Sequence, residues 1–138
     1  MADNANVRSD AVDAASKPTI LIVDDDREQA QQIGTFLAKF GMEVLVEDNG
    51  FAAVNTIRRV QPAVVLMDVR MPGLDGIKAA QLTSSLQSDA KIILMSGYAD
   101  QIKRASEDEE LDVFAVVDKP LALRVLVRFI QAALHDRN

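Results

Sequence analysis

The chain has 138 residues, of which 49% are hydrophobic, enough for one folded domain with a core of its own. It has no cysteine and a formal net charge of -6, which excludes disulfides, thiolate metal sites and cysteine nucleophiles and argues against direct binding of nucleic acid. No apolar run approaches the roughly 20 residues of a membrane helix, and the N-terminus lacks the layout of a secretory signal, so we predict a cytoplasmic protein without a membrane partner.

Residues 1–17 differ in composition from the rest of the chain. They are rich in Ala, Asp, Asn and Ser and have no apolar period. Such a segment buries too little apolar surface to offset the entropy lost on ordering it. We therefore predict a flexible N-terminal tail over residues 1–17 and a single domain over residues 18–138.

From residue 18 onward, short apolar runs alternate five times with stretches of helical period. The predicted strands cover residues 19–23, 42–46, 63–67, 91–95 and 113–117. The first predicted helix begins after an N-cap at Asp26 and stops at Gly41, and the others span about residues 50–60, 75–86, 99–110 and 122–135. This alternation predicts a doubly wound α/β domain with helices on both faces of a parallel sheet.

The third predicted strand ends on a single carboxylate, Asp68. Its five apolar residues, 63–67, show no alternation, which favours a strand that is buried on both faces. In open α/β sheets, ligands bind just beyond the carboxyl ends of the strands. Asp68 is therefore predicted to lie where a ligand would bind.

Polar side chains follow the ends of three other predicted strands: Asp24 and Asp25 after the first, Ser96 after the fourth and Lys119 after the fifth. Three carboxylates in one cleft repel one another unless a cation compensates them, and oxygen ligands without His or Cys favour Mg²⁺. A carboxylate also acts as a nucleophile in forming an aspartyl phosphate, a reaction that needs charge neutralisation at the phosphoryl oxygens.

Four motifs at these strand ends, taken together, are similar to those of a known family. They are, in chain order, Asp24-Asp25, Asp68-Val69-Arg70-Met71-Pro72-Gly73, Ser96-Gly97 and Lys119-Pro120. In their order and positions they resemble the response-regulator receiver domain of two-component signalling, over residues 18–135. The resemblance implies a flavodoxin-like (βα)5 fold with strand order 2-1-3-4-5, and we expect a stand-alone, single-domain receiver.

The resemblance also implies a phospho-acceptor and a metal site. Asp68 would accept a phosphoryl group from a phosphohistidine of a histidine kinase or a histidine phosphotransfer protein. Asp25 and Asp68 would bind Mg²⁺ directly, together with the backbone carbonyl of Arg70, and Asp24 would act mainly through metal-bound water.

Two further roles follow from the resemblance. Ser96 would turn toward the phosphoryl oxygens, and Lys119 would pair with one of them. The Lys119–Pro120 peptide bond would be cis. The protein would catalyse only its own phosphorylation and dephosphorylation, so we expect a signalling phospho-acceptor and not an enzyme.

Phosphorylation in this family switches the face formed by helix four, strand five and helix five, which meets a downstream protein or a second copy of the chain. Family members usually carry Tyr or Phe where this chain has Val116. We therefore expect switching to depend on displacement of helix four. Arg70 and Tyr98 occupy the two positions that tune the lifetime of the phosphoryl group, and because both are bulky we predict slow autodephosphorylation.

Helix five has an apolar arc wider than a helix on one face of a sheet needs. We predict that Leu123, Val127 and Leu134 form an exposed patch for dimerisation or partner docking. The alternative is that helix four or a tail residue covers them.

The sequence is also compatible with other functions. The chain could serve as a phosphorelay intermediate or as a phosphorylation-independent binding module with the receiver fold. A haloacid-dehalogenase-like phosphatase also uses a strand-terminal Asp with Mg²⁺, but Glu28 stands where that family expects Thr or Val. A flavodoxin-like FMN carrier is disfavoured because no phosphate-binding loop follows the first strand.

Overall fold

Strands and helices alternate strictly along the chain. The structure, a computed structural model, describes residues 17–86, 88–109 and 111–136. The strands are β1 (Thr19–Val23), β2 (Glu43–Glu47), β3 (Val64–Asp68), β4 (Lys91–Ser96) and β5 (Ala115–Asp118), and the helices are α1 (Arg27–Ala38), α2 (Gly50–Val60), α3 (Gly76–Ser85), α4 (Ala99–Glu107) and α5 (Leu123–His135). Of the tail predicted over residues 1–17, only Lys17 lies within the described residues.

The five strands form one parallel sheet in the order β2-β1-β3-β4-β5. This confirms the predicted fold class and strand order. Val65 of β3 is paired with Leu21 of β1 on one side and with Ile92 of β4 on the other. Because β3 is central, its five residues are all buried, as the unbroken apolar run predicts.

The core consists of two clusters, one on each face of the sheet. The first packs the even-numbered residues of β1, such as Ile22, against α1 and α5. The second packs the odd-numbered residues, such as Leu21, against α2, α3 and α4. None of the helices in the described part of the chain is long and apolar enough to cross a membrane.

Several predicted boundaries shift by a few residues. Helix α1 ends at Ala38, before the predicted stop at Gly41, because residues 39–41 form a turn that leaves Phe40 48% exposed. Helix α4 ends at Glu107, short of the predicted end at residue 110. Acidic side chains near a helix C-terminus oppose the helix dipole, which accounts for the early end. Strand β5 begins at Ala115, two residues later than predicted.

The prediction of an exposed patch on α5 is wrong. Val127 is 3% exposed and belongs to the core on the α1–α5 face. Leu123 and Leu134 are half-buried and pack against the same cluster. This packing explains the wide apolar arc. The cluster of side chains from the sheet and from α1 covers a broad part of the surface of α5. Val125 is the large apolar residue of α5 that faces solvent.

A close backbone contact joins the start of α3 to the end of β3. The N–H of Gly76 donates to the carbonyl oxygen of Val69 at 2.8 Å. A Cβ atom at position 76 would overlap the carbonyl oxygen of Asp68 and lie 2.9 Å from the Cα of Val69. Glycine is therefore required here by space.

We predict that Gly76→Ala lowers the free energy of unfolding by about 1–3 kcal/mol, because the added methyl group displaces the backbone of β3. Gly97→Ala is the control, since a Cβ there meets its nearest atom, the Cβ of Lys119, at an ordinary 3.7 Å. Urea denaturation measures both variants. An equal loss of stability in the two variants would contradict the steric explanation.

Candidate functional site

The carboxyl ends of four parallel strands meet at one edge of the sheet, and the predicted site residues lie there. Asp24 follows β1, Asp68 ends β3, Ser96 ends β4 and Lys119 follows β5. Asp24, Asp25 and Asp68 each offer a carboxylate oxygen, and these oxygens all lie within 4.8 Å of one another. The structure therefore brings together the three predicted carboxylates.

Lys119 lies between two of these carboxylates. Its Nζ is 3.5 Å from Oδ2 of Asp24 and 3.5 Å from Oδ2 of Asp68. The backbone N–H of Lys119 donates to the carbonyl oxygen of Ser96 at 2.8 Å, which ties the end of β5 to the end of β4. The Lys119–Pro120 bond is cis, as the family resemblance implies.

Asp24 has one oxygen that the described residues leave without a hydrogen bond. Its Oδ1 accepts from the backbone N–H of Asp26 at 3.0 Å, but its buried Oδ2 has no hydrogen-bond donor in the described part of the chain. Leaving a buried charged oxygen unsatisfied is costly. This oxygen has the Lys119 ammonium at 3.5 Å but no hydrogen bond, and it lies beside two other carboxylates, so it fits a site for a bound cation.

Ionising the carboxyl of Asp68 costs free energy in the folded protein. Burial raises the pKa of Asp68 above its ordinary value; the ammonium of Lys119 opposes this shift and the carboxylate of Asp24 adds to it. The backbone N–H of Arg70 approaches Oδ1 of Asp68 at 3.4 Å and also lowers the pKa of that carboxyl. The raised pKa shows that Lys119 does not fully offset burial and the neighbouring negative charge.

The donor set suits a hard divalent cation. Three carboxylates provide oxygen ligands only, which favours Mg²⁺ or a similar ion over a soft metal. Asp24 and Asp68 are 1% and 9% exposed, whereas Asp25 is exposed. A cation held here would thus have two buried ligands and one open side, where the several waters that Mg²⁺ retains could remain.

The hydroxyl of Ser96 makes its hydrogen bonds toward helix α4. Its Oγ donates to Oε1 of Gln101 at 2.8 Å and accepts from the backbone N–H of Tyr98 at 3.0 Å. Gln101 was not predicted as a site residue. The signal that could have found it is its place in the first turn of α4, five residues beyond the hydroxyl.

Arg70 and Tyr98 form a pair above the site. The guanidinium carbon of Arg70 lies 4.5 Å from the centre of the Tyr98 ring, a cation–π contact. Tyr98 is 47% exposed and Arg70 is also exposed. The pair therefore joins the loop after β3 to the loop after β4, and both side chains are exposed.

Val116 lies in β5 away from this cluster of charges. It is half-buried and packs against the core on the α2–α4 face, the same cluster that contains Ala105 of α4. No aromatic ring occupies that position. A hydrogen-bonded link between the site and α4 cannot run through the side chain of Val116, which has no polar atom.

The sequence matches the profile of the response regulator receiver domain over residues 20–131. It is 38% identical over 115 residues to the regulatory protein AtoC of Escherichia coli, covering 83% of this chain and 25% of AtoC. The chain thus spans a quarter of that relative. It is 31% identical over 115 residues to the response regulator receiver protein CpdR of Brucella abortus, covering 83% of this chain and 95% of CpdR.

Solved structures give the same fold. The BeF3-activated N-terminal receiver domain of RstA from Klebsiella pneumoniae superposes with a TM-score of 0.77 and is 27% identical. The match covers 86% of this chain and 99% of that one.

The raised pKa of Asp68 predicts a pH-dependent contribution to stability. A raised folded-state pKa means that the stability this group provides is fully present below its unfolded value of 3.8 and is lost as the pH rises through the folded-state pKa. In metal-free buffer at neutral pH, Asp68→Asn should therefore raise the free energy of unfolding by about 1 kcal/mol, or the melting temperature by about 3–6 °C.

Thermal unfolding with a chelator, at neutral pH and near pH 4, measures this gain, which should shrink at the lower pH as the wild-type carboxyl becomes protonated. Asp25→Asn serves as the control because Asp25 is exposed, and its effect should be smaller. A loss of stability in Asp68→Asn at neutral pH would show that Lys119 and Arg70 outweigh the burial of the charge.

Proposed function

Since this chain belongs to the response-regulator receiver family, whose members accept phosphoryl groups in two-component signalling, we propose that Asp68 is its phospho-acceptor. The observation that carries this proposal is the placement of Lys119, whose ammonium lies 3.5 Å from both Asp24 and Asp68. Phosphoryl transfer to Asp68 requires a positive charge close to its carboxylate, because negative charge on the phosphoryl oxygens must be neutralised. The ammonium of Lys119 supplies that charge. The donor is a phosphohistidine of a histidine kinase or a histidine phosphotransfer protein.

The transfer needs no general base. An ionised Asp68 oxygen attacks phosphorus, the new P–O bond forms as the P–N bond of the phosphohistidine breaks, and the bonding electron pair stays on the imidazole nitrogen. No proton leaves Asp68. The protein turns over only its own phosphoryl group and is in this sense a signalling component.

Lys119 and Ser96 act on the phosphoryl oxygens. The Nζ of Lys119 is already 3.5 Å from Oδ2 of Asp68, so it pairs with a phosphoryl oxygen after a small movement. Ser96 is buried at the end of β4, the strand next to β3. Its hydroxyl supplies a second donor once it turns from Gln101.

Asp24, Asp25 and Asp68 would hold Mg²⁺, with the backbone carbonyl of Arg70 as a further ligand and Asp24 acting mainly through a water molecule. When bound, Mg²⁺ neutralises the charge on the transferring phosphoryl oxygens. The Oδ2 of Asp24, which has no hydrogen bond, and the raised pKa of Asp68 support this assignment, because the single ammonium of Lys119 leaves negative charge to be compensated.

The signal leaves through the face formed by α4, β5 and α5. Within α4, all of whose residues are described, Ala105 alone is buried, so little apolar contact opposes a shift of the helix. A charge added at Asp68 biases such a loosely held element. The output is contact with a downstream protein or a second copy of the chain, or return of the phosphoryl group to a phosphotransfer protein in a relay.

We predict that the purified protein, incubated with acetyl phosphate and Mg²⁺, gains the mass of one phosphoryl group. Asp68→Asn should gain none, and a chelator should abolish the gain in the wild type, because the transition-state charge is then uncompensated. Lys119→Gln should slow the reaction at least about tenfold, the loss of one charged donor. Intact-protein mass spectrometry measures all four.

Asp26→Asn is a suitable control, since Asp26 caps α1 and does not belong to the three-carboxylate cluster. Its uptake should match that of the wild type. A phosphoryl group on Asp68→Asn would overturn the assignment of Asp68. If the protein took up no phosphoryl group from either acetyl phosphate or a phosphohistidine donor, its function would instead be that of a phosphorylation-independent binding module.

We further propose that the stacked Arg70 and Tyr98 side chains restrict the path of the water that hydrolyses the phosphoryl group. Tyr98→Ala and Arg70→Ala should each shorten its half-life about two- to fivefold, the order of one exposed cation–π contact. Phe40→Ala is the control. It removes an equally exposed ring just beyond the C-terminus of α1, whereas the carboxylates lie at the N-terminus of that helix, so the half-life should be unchanged. Loss of the phosphoryl mass with time measures the rates, and unchanged half-lives in both site variants would refute the shielding role.

A further inference from the structure

The hydroxyl of Ser96 is committed to helix α4. A serine hydroxyl has one hydrogen to donate and two lone pairs. That hydrogen is given to Oε1 of Gln101 at 2.8 Å, while Oγ accepts from the backbone N–H of Tyr98 at 3.0 Å. The carbonyl oxygen of Tyr98 is a weaker second acceptor at 3.4 Å. The donor that a phosphoryl group on Asp68 requires is therefore already in use.

We propose that Gln101 is a positioning residue that holds the Ser96 hydrogen in the unphosphorylated protein and loses it on phosphorylation, which detaches the first turn of α4. The inference rests on the proposed function of Asp68. The Gln101 amide oxygen and a phosphoryl oxygen compete for one hydrogen, so the two bonds exclude each other. Gln101 thereby opposes phosphorylation and converts it into a change at α4.

The start of α4 depends on this bond because it has few other attachments. Tyr98 occupies the N-cap position and makes no side-chain capping bond. Ser96 takes over part of that task by accepting the N–H of Tyr98 and by binding Gln101 in the first turn. Ala105 is the one buried residue of α4. A hydrogen bond at the first turn therefore contributes a large part of the interactions that fix the helix on the sheet.

The far end of α4 has separate attachments. Nε2 of Gln81, in α3, donates to Oδ2 of Asp108 at 3.0 Å, and Arg104 lies 3.9 Å from Asp75. These contacts do not involve Ser96. Release of Gln101 therefore frees the end of α4 nearest Asp68 while the other end stays attached to α3, which predicts a pivoting of the helix.

The Gln101–Ser96 bond also provides a link that Val116 cannot. Val116 has no polar atom on its side chain and packs in the core, so it carries no hydrogen-bond signal. The Ser96 hydroxyl is the group that turns toward the phosphoryl oxygen, and Gln101 is its partner on the helix that moves. The hydroxyl hydrogen of Ser96 is thus the group that both Gln101 of α4 and a phosphoryl oxygen on Asp68 would bind.

The test measures binding of beryllofluoride, a phosphoryl mimic, in Mg²⁺ by titration calorimetry. Gln101→Met removes the acceptor and should bind the mimic about two- to tenfold more tightly than the wild type, the equivalent of one net hydrogen bond. Gln101→Ala, a second variant with high helix propensity, should show the same gain. Gln81→Met is the matched control, because it loosens α4 at the end remote from Ser96 and should bind like the wild type.

The role of Ser96 is isolated by a double-mutant cycle. In a Ser96→Ala background, Gln101→Met should bring no gain, because the hydrogen for which the two acceptors compete is gone. Amide exchange supplies a second readout: the first turn of α4 should exchange slowly in the unliganded wild type, and rapidly both in the beryllofluoride complex and in unliganded Gln101→Met.

The outcomes separate the inference from the function on which it rests. A wild type that binds no beryllofluoride and accepts no phosphoryl group overturns both. A wild type that binds it, with Gln101→Met unchanged, overturns the role of Gln101 alone. An equal gain in beryllofluoride affinity in Gln81→Met would also overturn it, and so would a gain that Gln101→Met still shows in the Ser96→Ala background. Either result would mean that the affinity rises because the helix is looser and not because of the shared hydrogen.

Discussion

The confinement of negative charge at one edge of the sheet is the constraint on which the rest of the molecule depends. Parallel pairing forces the ends of β1 and β3 side by side, so that Asp24 and Asp68 are buried together and Asp25 lies beside them. One ammonium, that of Lys119, lies between the two buried carboxylates. This imbalance of charge costs folding free energy, and it fits a site that a bound cation would complete.

Much of the fold and the site could be predicted from the sequence, because the features involved are local. An unbroken apolar run that ends on Asp68 indicates a central strand and places its carboxylate at the sheet edge, and strand alternation alone brings Asp24 and Lys119 to the same edge. What failed depends on neighbours that a helical period does not reveal. The apolar arc of α5 gave no sign of which part the core would cover, so Val127 was wrongly expected at the surface. Gln101 was missed because an exposed-looking amide matters only through the hydroxyl it meets in three dimensions.

The residues proposed to govern the lifetime of the phosphoryl group and its output lie in two short loops, those that follow β3 and β4. Arg70 in the first loop and Tyr98 in the second are in contact with each other. Tyr98 also begins α4 and is bound through its backbone to Ser96. Tyr98, one of the two residues proposed to shield Asp68 from water, is therefore also bound to Ser96 and begins the helix. A change at Tyr98 is expected to affect how long the signal lasts together with how strongly it is transmitted.

The five helices are anchored to the sheet very unevenly. Helices α1 and α5 bury a broad set of side chains against one face, including Leu37, Leu126 and Ile130, whereas α4 contributes Ala105 alone to the other. Substitutions at exposed positions of α4 that make no hydrogen bond or ion pair are therefore expected to change the free energy of unfolding little. The surface of α4 can therefore change in evolution to fit a different recipient of the signal with little loss of stability. Among the helices of this fold, α4 is the one where such changes are best tolerated.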